Sequence, residues 1–478
     1  MKISIKRDNL FVLLIFIITI LVENKILDIY QNANFYFLCG IISICMIINM
    51  IIQFTYFRIT NRIFTLGFWI IMLSYLFQCA YVVLLSLHLV PKDSVIYTLH
   101  LARLGYESFV NASRIGLNCI AGVFIGYVLV GNNVYSNREE NVYNSIENNT
   151  IISQWVKKVG WLIVVFLGIP FWGSIIYQIR YSIGRGSYIG LTSTKTGLIA
   201  LFINLNIFVF CGIYLLMIYY KEKQKIKYCK YLLFVALSSA VIMCFSGSRS
   251  LGMIYICLIV LVWFRDITPQ KLNIKNILLA VFLLLILLQF FYAIRVSRQY
   301  AFSFSNIFNA FFSRNNSIIY ETLNEFGVSV FTTAAFMQVG EMGNPLAFFL
   351  KEIGGILPRV ASYGGEIFLP ATVVSGVEGR YHLGSTYIAD YYYYFGQYCV
   401  VVIILLGVVL AVADNYIDKL KKRKDYINLA VMFCWSGYMI NIVRAQSSFN
   451  LKMLLYSWII INLLVVFAKK GNFSYEKK

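Results

Sequence analysis

Six arginines are the residues of this chain best suited to binding an anionic group. A guanidinium is planar, always charged and able to donate two parallel hydrogen bonds to phosphate oxygens. Arginine at membrane depth is costly unless it reaches headgroups, pairs with an acid or lines a wet cavity. For one arginine, such pairing is as good an explanation as a ligand. For six arginines at one membrane face, a shared lipid-linked phosphate or diphosphate is the better explanation. The six are Arg114, Arg180, Arg249, Arg295, Arg298 and Arg444.

Two outer carboxylates supply complementary chemistry. Glu325 stands just before the apolar run 328–337, and Asp390 ends the segment 385–390. A carboxylate beside a sugar hydroxyl can act as a general base. For Glu325, an ion pair with one of the arginines is an equally good explanation.

These residues are embedded in a chain with the composition of a membrane protein. It is 60% hydrophobic and 13% charged, with a mean hydropathy of +0.73. A helix needs about 20 mostly apolar residues to cross the hydrocarbon core. We therefore predict an all-α polytopic membrane protein of about 12 transmembrane helices, of which the pair near 231–264 could instead be re-entrant. The spans lie near 8–22, 34–54, 63–89, 110–130, 159–179, 198–220, 231–245, 251–264, 276–294, 396–413, 426–443 and 451–468.

The distribution of basic residues predicts the sidedness. With the N-terminus inside, the cytoplasmic loops carry 25 Lys and Arg against 10 Asp and Glu, as the positive-inside rule expects. Both termini are then cytoplasmic. The chain divides into a membrane domain 1–294 with nine helices, a large extracytoplasmic loop 295–395, and a membrane domain 396–478 with three helices and a tail.

The charge and the rare residue types exclude several classes. The net charge of +20 resides mostly on the cytoplasmic face, where topology and anionic membrane lipid explain it without nucleic acid. Three histidines argue against a His-rich metal site. There is no phosphate-binding loop and no dinucleotide fingerprint. We predict neither a metal nor a cofactor.

The large loop is predicted to contain helices lying on the membrane surface, at 305–312, 318–337 and 345–351. The tyrosines 391–394 are typical of an interfacial aromatic belt. Arg295 and Arg298 leave one span and the segment 384–396 enters the next. We expect these two ends to line one site at the membrane edge, and the middle of the loop to cover it.

Four short patterns give the chain a family resemblance. They are a Gly-Ser-Arg turn at 247–249, Asn-Glu-x-Gly at 324–327, Gly-Ser-x-x-x-Ala-acidic-x-Tyr-x-x-Phe-Gly at 384–396, and an Arg-x-x-Ser turn at 444–447. With these patterns and the multi-span layout, the chain resembles the Wzy-type polymerases of bacterial O-antigen and capsular polysaccharides. Many relatives have Glu where this chain has Asp390, which puts a direct catalytic role for that residue in doubt.

The resemblance implies a membrane glycosyltransferase in the bacterial cytoplasmic (inner) membrane, with its active site outside. It would transfer a growing glycan from polyprenyl diphosphate to a new polyprenyl-diphosphate-linked oligosaccharide repeat. A chain-length regulator and a flippase are implied partners. Expected catalytic residues are Glu325, Arg249 and Arg295. Expected substrate-binding residues are Arg298, Arg444, Arg114, Arg180, Ser385, Asp390 and His382.

Three alternatives stay open at this point. A flippase or exporter of lipid-linked oligosaccharide would place its charges near the membrane middle on broken helices. Another lipid-phosphate glycosyltransferase would use a carboxylate of the first outer loop, where Glu23 and Asp28 lie. An O-antigen ligase-like enzyme would also transfer a glycan from polyprenyl diphosphate, and an outer histidine such as His382 would favour it.

Overall fold

The protein is helical throughout the part that the computed structural model describes. Those residues are 7–91, 94, 101–131, 149–185, 206–245, 249–268, 304–312, 318–340, 343–354, 386–444 and 451–473, with 286, 289, 290 and 293. The first helices are α1 (Arg7–Ile29), α2 (Phe35–Ile59), α3 (Leu66–Ser86), α4 (Ala102–Leu104), α5 (Tyr106–Gly131), α6 (Asn149–Phe166), α7 (Gly168–Arg185), α8 (Asn206–Glu222), α9 (Ile226–Phe245) and α10 (Arg249–Val262). The later ones are α11 (Phe304–Phe312), α12 (Ile318–Gly327), α13 (Val330–Val339), α14 (Pro345–Gly354), α15 (Tyr387–Phe395), α16 (Cys399–Arg423), α17 (Tyr426–Asn441) and α18 (Leu451–Phe473).

Eight helical segments of the described chain are long and apolar enough to cross a membrane. They agree with the predicted polytopic all-α class. Three further helices at predicted spans, α8, α10 and α17, have 17, 14 and 16 residues. The predicted span near 276–294 lies almost wholly outside the described residues. The count of 12 therefore stays a prediction.

The chain forms two compact units. The first comprises Met1–Ser136, Ile319–Lys419 and Met439–Lys452, and the second comprises Asn137–Ile318, Leu420–Tyr438 and Met453–Lys478. The predicted domain boundaries at 294/295 and 395/396 follow from membrane topology. The two units are defined by compactness, so they leave those boundaries a prediction.

Ends of different predicted cytoplasmic loops meet in the first unit. The Arg62 guanidinium donates to Asn415 Oδ1 at 2.7 Å, and the Asn415 amide donates to the carbonyl of Val130 at 3.3 Å. The Asn9 amide donates to the carbonyl of Val128 at 3.3 Å. These loop ends therefore share one side of the unit, as the predicted alternation requires. That this side is the cytoplasm stays a prediction.

Asp414 fixes the start of α3 at the same end. Its carboxylate accepts hydrogen bonds from the backbone N–H groups of Leu66 and Gly67 at 2.9 and 3.0 Å, and from the Tyr127 hydroxyl at 3.1 Å. The first N–H groups of a helix have no partner within the helix, and its N-terminus favours negative charge. Asp414 thus satisfies α3 and ties it to α5 and α16.

Glycines let α5 and α16 approach at backbone distance. A Cβ built on Gly126 would lie 2.9 Å from the carbonyl carbon of Ile404, and one on Gly407 would lie 2.8 Å from the backbone nitrogen of Tyr127. Small residues drive helix association in lipid because they allow such close packing. The two helices therefore depend on glycine at both positions.

Helices of the predicted outer loop are confirmed as helices, but α13 does not lie on a surface. It packs against α3, α5 and α15, and Phe331, Ala334 and Ala335 are fully buried. Apart from the exposed Gln338, its residues are apolar or small on every side, so it gains more from burial in protein than from a one-sided interfacial position.

The expected aromatic belt at 391–394 is likewise wrong for two of its members. Tyr391 and Tyr394 are buried, with ring centroids 4.9 and 5.6 Å from that of Phe348 in α14. These rings form the core of the contact between α14 and α15. In addition, the Gly343 N–H donates to the carbonyl of Tyr393 at 2.8 Å, which fixes the entry to α14 against α15.

The second unit contains the helix hairpin α9–α10 and the packed pair α6–α8. A Cβ on Gly212 would lie 2.8 Å from the side chain of Ile163, and one on Gly160 would lie 2.9 Å from that of Leu216. α6 and α8 therefore pack closely at two reciprocal glycines.

A buried charge cluster joins three predicted cytoplasmic loops in this unit. Asp266 lies in the π-helical turn Trp263–Ile267, just beyond the predicted span 251–264. Its carboxylate contacts the Arg265 guanidinium at 3.0 Å and the Lys421 ammonium at 2.6 Å, and the Tyr214 hydroxyl donates to it at 2.9 Å. Lys221 donates to the Asp266 carbonyl.

The cations decide the charge state of Asp266. Burial opposes ionisation and is the largest single influence, but Arg265 and Lys421 together outweigh it and lower the pKa to about 2. The ionised Asp266 therefore contributes fully to folding stability at pH values above the ordinary aspartate pKa, and this contribution is lost as the pH falls towards 2.

We expect Gly126→Ala to destabilise the protein by about 1–3 kcal/mol, because the added methyl overlaps the backbone of α16. Thermal unfolding of purified protein in detergent measures the effect. Gly40→Ala is the matched control, since a Cβ at Gly40 in α2 meets no atom within 4 Å. Equal midpoints for the two variants would refute the close packing of α5 and α16.

Asp266→Asn should lower the stability by about 3–5 kcal/mol, because it leaves two cations without their buried counter-ion. Asp28→Asn is the control: it breaks an ion pair whose acid is 51% exposed, and such pairs contribute about 0–1 kcal/mol. Denaturant titration followed by tryptophan fluorescence compares them. A loss at Asp266 no larger than that at Asp28 would contradict the cluster's structural role.

Candidate functional site

Three of the four sequence patterns meet beside the middle of α3. The Phe326 ring, within the pattern 324–327, lies 5.1 Å from the Phe77 ring in an edge-to-face arrangement. The guanidinium carbon of Arg444 lies 5.9 Å from the centroid of the same Phe77 ring. This is the geometry of a cation–π contact. Phe77 thus brings together the acidic pattern and the arginine turn.

The last position of the acidic pattern, 327, is glycine for a steric reason. A Cβ there would overlap the backbone nitrogen of Tyr81 and lie 2.8 Å from its Cβ. After this glycine the chain turns into α13, where the Phe331 ring lies 5.1 Å from that of Tyr81 and 5.2 Å from that of Phe109. The α12–α13 bend is therefore held against α3 and α5.

The third pattern enters the same place through the start of α15. The Thr386 hydroxyl caps the helix by accepting from the Ala389 N–H at 3.2 Å, as an N-cap threonine does. Tyr387 shares a hydrogen bond of 2.9 Å with the Ser74 hydroxyl of α3. Its backbone N–H donates to the carbonyl of Ile442 at 3.1 Å, two residues before Arg444.

Gly396 closes this pattern for a conformational reason. Its φ of 55° lies in the left-handed region, where glycine has no steric penalty. The helix α15 therefore stops at Phe395, and the chain turns into α16.

Asp390 lies in the first turns of α15 and is fully buried. The N-terminal end of a helix stabilises a carboxylate. Enclosure by protein suits a residue that positions α15 better than one that contacts substrate, and this agrees with the doubt raised by the Asp-for-Glu difference.

Arg444 follows α17 in a hydrogen-bonded turn, in which its N–H donates to the Asn441 carbonyl at 3.0 Å. Its contact with the Phe77 ring, and the bond of Ile442 to Tyr387, which itself holds Ser74, place this turn beside the middle of α3 and not beyond its end. Arg444 is thus deeper along α3 than its expected position at an outer helix end.

Two more of the predicted arginines are described by the structure. The Arg114 guanidinium pairs with Asp28 at 2.7 Å and donates to Asn24 Oδ1 at 2.8 Å, so pairing accounts for it without a ligand. Arg180 is exposed on α7 in the second unit.

Glu23, the carboxylate that another lipid-phosphate glycosyltransferase would use, does not lie in a loop. The helix α1 continues to Ile29, and Glu23 accepts a hydrogen bond from the Asn49 amide at 2.8 Å.

The remaining predicted residues are placed only in part. Glu325 lies in α12 between Asn324 and Phe326, and Arg249 is the first residue of α10; neither side chain is among those described. The positions of Arg295, Arg298, His382 and Ser385 lie outside the described residues.

Sequence reasoning missed the contribution of α3. Ser74, Phe77, Gln78 and Tyr81 follow the i, i+3, i+4, i+7 spacing of one helix face, and Ser74, Phe77 and Tyr81 each contact one of the converging elements. The available signal is the presence of Ser, Gln and Tyr at this spacing in the otherwise apolar span 63–89.

Comparison with known proteins gives one match. The model of the family "O-antigen polysaccharide polymerase Wzy" matches residues 9–476, which is nearly the whole chain. No curated protein and no solved structure matches the chain.

Proposed function

This chain belongs to the O-antigen polysaccharide polymerase Wzy family, and we propose that it joins lipid-linked oligosaccharide repeat units at the outer face of the bacterial cytoplasmic membrane. A hydroxyl of a new repeat unit attacks the anomeric carbon of the growing glycan. The new glycosidic bond forms as the bond between that carbon and the diphosphate oxygen breaks. The bonding pair leaves with polyprenyl diphosphate, and the hydroxyl proton passes to a base.

The observation that carries the proposal is the meeting of Arg444 and the Glu325-bearing helix α12 at Phe77. Negative charge develops on the leaving diphosphate, and a preorganised guanidinium stabilises it. A carboxylate on the adjacent helix is suited to take the acceptor proton. Arg444 is therefore assigned to the diphosphate and Glu325 to the base.

The other predicted residues complete this assignment. Arg249, Arg295 and Arg298 join Arg444 on the diphosphate, with Arg249 and Arg295 acting on the reacting oxygen. At the edge of the substrate we assign the polar residues Ser385, His382, Arg180 and Arg114, whereas the buried Asp390 acts by positioning α15. Arg114 takes part only when its ion pair with Asp28 opens.

The proposed reaction needs no nucleotide, because cleavage of the glycosyl diphosphate supplies the driving force. A flippase would deliver the repeat units and a chain-length regulator would limit the product, so both are proposed partners. The proposed orientation has both termini in the cytoplasm.

Two alternatives differ in what accumulates when the protein is absent. A flippase fits the position of Arg444 beside the middle of α3, since carriers place charge near the membrane middle. A ligase would use the same leaving-group chemistry on a different acceptor.

Deletion of the gene should leave cells with single capped repeat units and no long chains, because transfer between lipid-linked units is lost. Electrophoresis of the surface glycan and mass spectrometry of the lipid-linked pool measure this. Lipid-linked repeats trapped on the inner face would favour the flippase. Full-length polymer on the lipid carrier, not transferred to its final acceptor, would favour the ligase.

Arg444→Ala should slow chain growth by about 10²–10³-fold, the effect of removing one oxyanion-stabilising donor. Arg444→Lys keeps a cation over Phe77 but loses the planar fork, so it should be intermediate, as should Arg249→Lys. Exposed Arg58 at the end of α2 provides the control Arg58→Ala. Wild-type chain lengths in an equally abundant Arg444→Ala protein would reject the assignment.

A further inference from the structure

Gln78 is a buried amide without a hydrogen-bond partner at the site. It is 1% exposed, and within the described part of the chain neither Nε2 nor Oε1 makes a hydrogen bond. It follows Phe77 directly in α3 and shares a helix face with Ser74 and Tyr81. These neighbours contact α15, α12 and α13. The Gln78 side chain therefore belongs to the face of α3 that carries the converging patterns.

The Gln78 amide also packs against α5. A Cβ on Gly116 would lie 2.8 Å from Gln78 Nε2 and 3.0 Å from its Cδ. Only a glycine leaves room for the amide here. The packing accommodates Gln78 without satisfying it, although a leucine of similar volume would avoid the cost of burying an amide.

Asn324 repeats this feature on α12. It is 6% exposed, and its Oδ1 has no hydrogen-bond partner among the residues that the structure describes. It stands directly before Glu325 and two residues before Phe326, whose ring touches Phe77.

Unpaired buried polar atoms are informative because each costs about 1–3 kcal/mol. Roughly 90% or more of such groups have a partner in native proteins. Here three unpaired amide atoms belong to residues flanking one ring contact, Phe77–Phe326, beside the Arg444 guanidinium. A ligand that enters beside this contact would supply the missing partners.

The chemistry of an amide selects the kind of ligand. A carboxamide is neutral and offers both a donor and an acceptor, which matches a sugar hydroxyl. Phosphate carries negative charge and only accepts hydrogen bonds from protein side chains. It is therefore better matched by the Arg444 guanidinium. The site thus divides into a cationic part and a neutral part that binds hydroxyl groups.

We propose that Gln78 and Asn324 bind hydroxyl groups of the acceptor sugar, and that Gln78 helps to select which repeat unit is accepted. The acceptor is chosen over the donor because Asn324 is the neighbour of Glu325, the proposed base for the acceptor hydroxyl. This inference rests on the proposed function and deepens it.

The test is an in vitro transfer assay with purified protein in lipid nanodiscs, in which a lipid-linked donor and a short-lipid acceptor repeat unit are varied separately. Gln78→Leu should raise the KM for the acceptor about tenfold and leave the KM for the donor within twofold. Gln78→Glu, which keeps the shape but loses the amide donor, should give a smaller increase. Gln53→Leu removes an equally buried amide of α2 whose two polar atoms also lack partners among the described residues. It is the control for the loss of such an amide away from the three patterns and should not alter the acceptor KM.

Monodeoxy acceptors separate contact with sugar from a structural effect. For the wild type, removal of the hydroxyl that Gln78 binds should raise the acceptor KM about tenfold. For Gln78→Leu the same removal should have no further effect, because the two losses concern one interaction. Equal sensitivity of wild type and Gln78→Leu to every monodeoxy acceptor would overturn the proposal, as would an unchanged acceptor KM in Gln78→Leu.

A binding measurement distinguishes failure of this inference from failure of the proposed function. The lipid-free repeat-unit oligosaccharide, released by mild acid from the cells' lipid-linked pool, should raise the unfolding temperature of the wild type but not of Gln78→Leu. If the wild type transfers no glycan but shows this difference, polymerisation is refuted and sugar binding at Gln78 stands. If the oligosaccharide stabilises both proteins equally or neither, the Gln78 proposal is refuted.

Discussion

The close approach of Gly327 to the backbone of Tyr81 is the constraint on which the site depends. It lets α12 and α13 bend against the middle of α3, where a side chain at 327 would force them away. Phe326 then reaches Phe77, and Phe331 fills the space between Tyr81 and Phe109. Backbone contact through glycine is a general means of bringing helices together in lipid, and here it positions an acidic segment.

Two further interactions complete the enclosure. The Tyr387–Ser74 hydrogen bond holds the start of α15 on α3, and the Tyr387 N–H holds the turn that carries Arg444. Together they bring polar chemistry beside the middle of a long apolar helix, where electrostatic interactions are stronger than in water. The same low-polarity surroundings make unpaired amides costly, which is why those of Gln78 and Asn324 point to a ligand.

How much of this could be predicted from sequence depends on the physical signal involved. Spans such as α2 and α5 follow from hydropathy, and the family follows from short patterns that recur in a fixed order. The burial of α13 was missed because a helix of ten mostly apolar residues has the same composition on a surface or in a core. Tyr391 and Tyr394 were assigned to an interface for a similar reason, since their partner Phe348 is distant in sequence. The role of Phe77 and Gln78 could not be predicted, because tertiary packing alone decides which face of α3 meets the patterns.

The central claim is that the acidic pattern lies against the middle of α3 in the membrane, and short thiol cross-linking tests it most directly. In a protein whose ten native cysteines are replaced by serine or alanine, cysteines would replace Phe77 and Phe326, and a protease site within 132–148 would separate them after the reaction. The native Cys119–Cys399 pair, whose sulfurs are 3.6 Å apart, spans the same cut and serves as the positive control in a parallel protein. The account predicts that a cross-linker of about 5 Å, matched to a ring contact of that range, keeps the two fragments joined in native membranes. Separation of the fragments at 77 and 326, while the Cys119–Cys399 control stays joined, would contradict it.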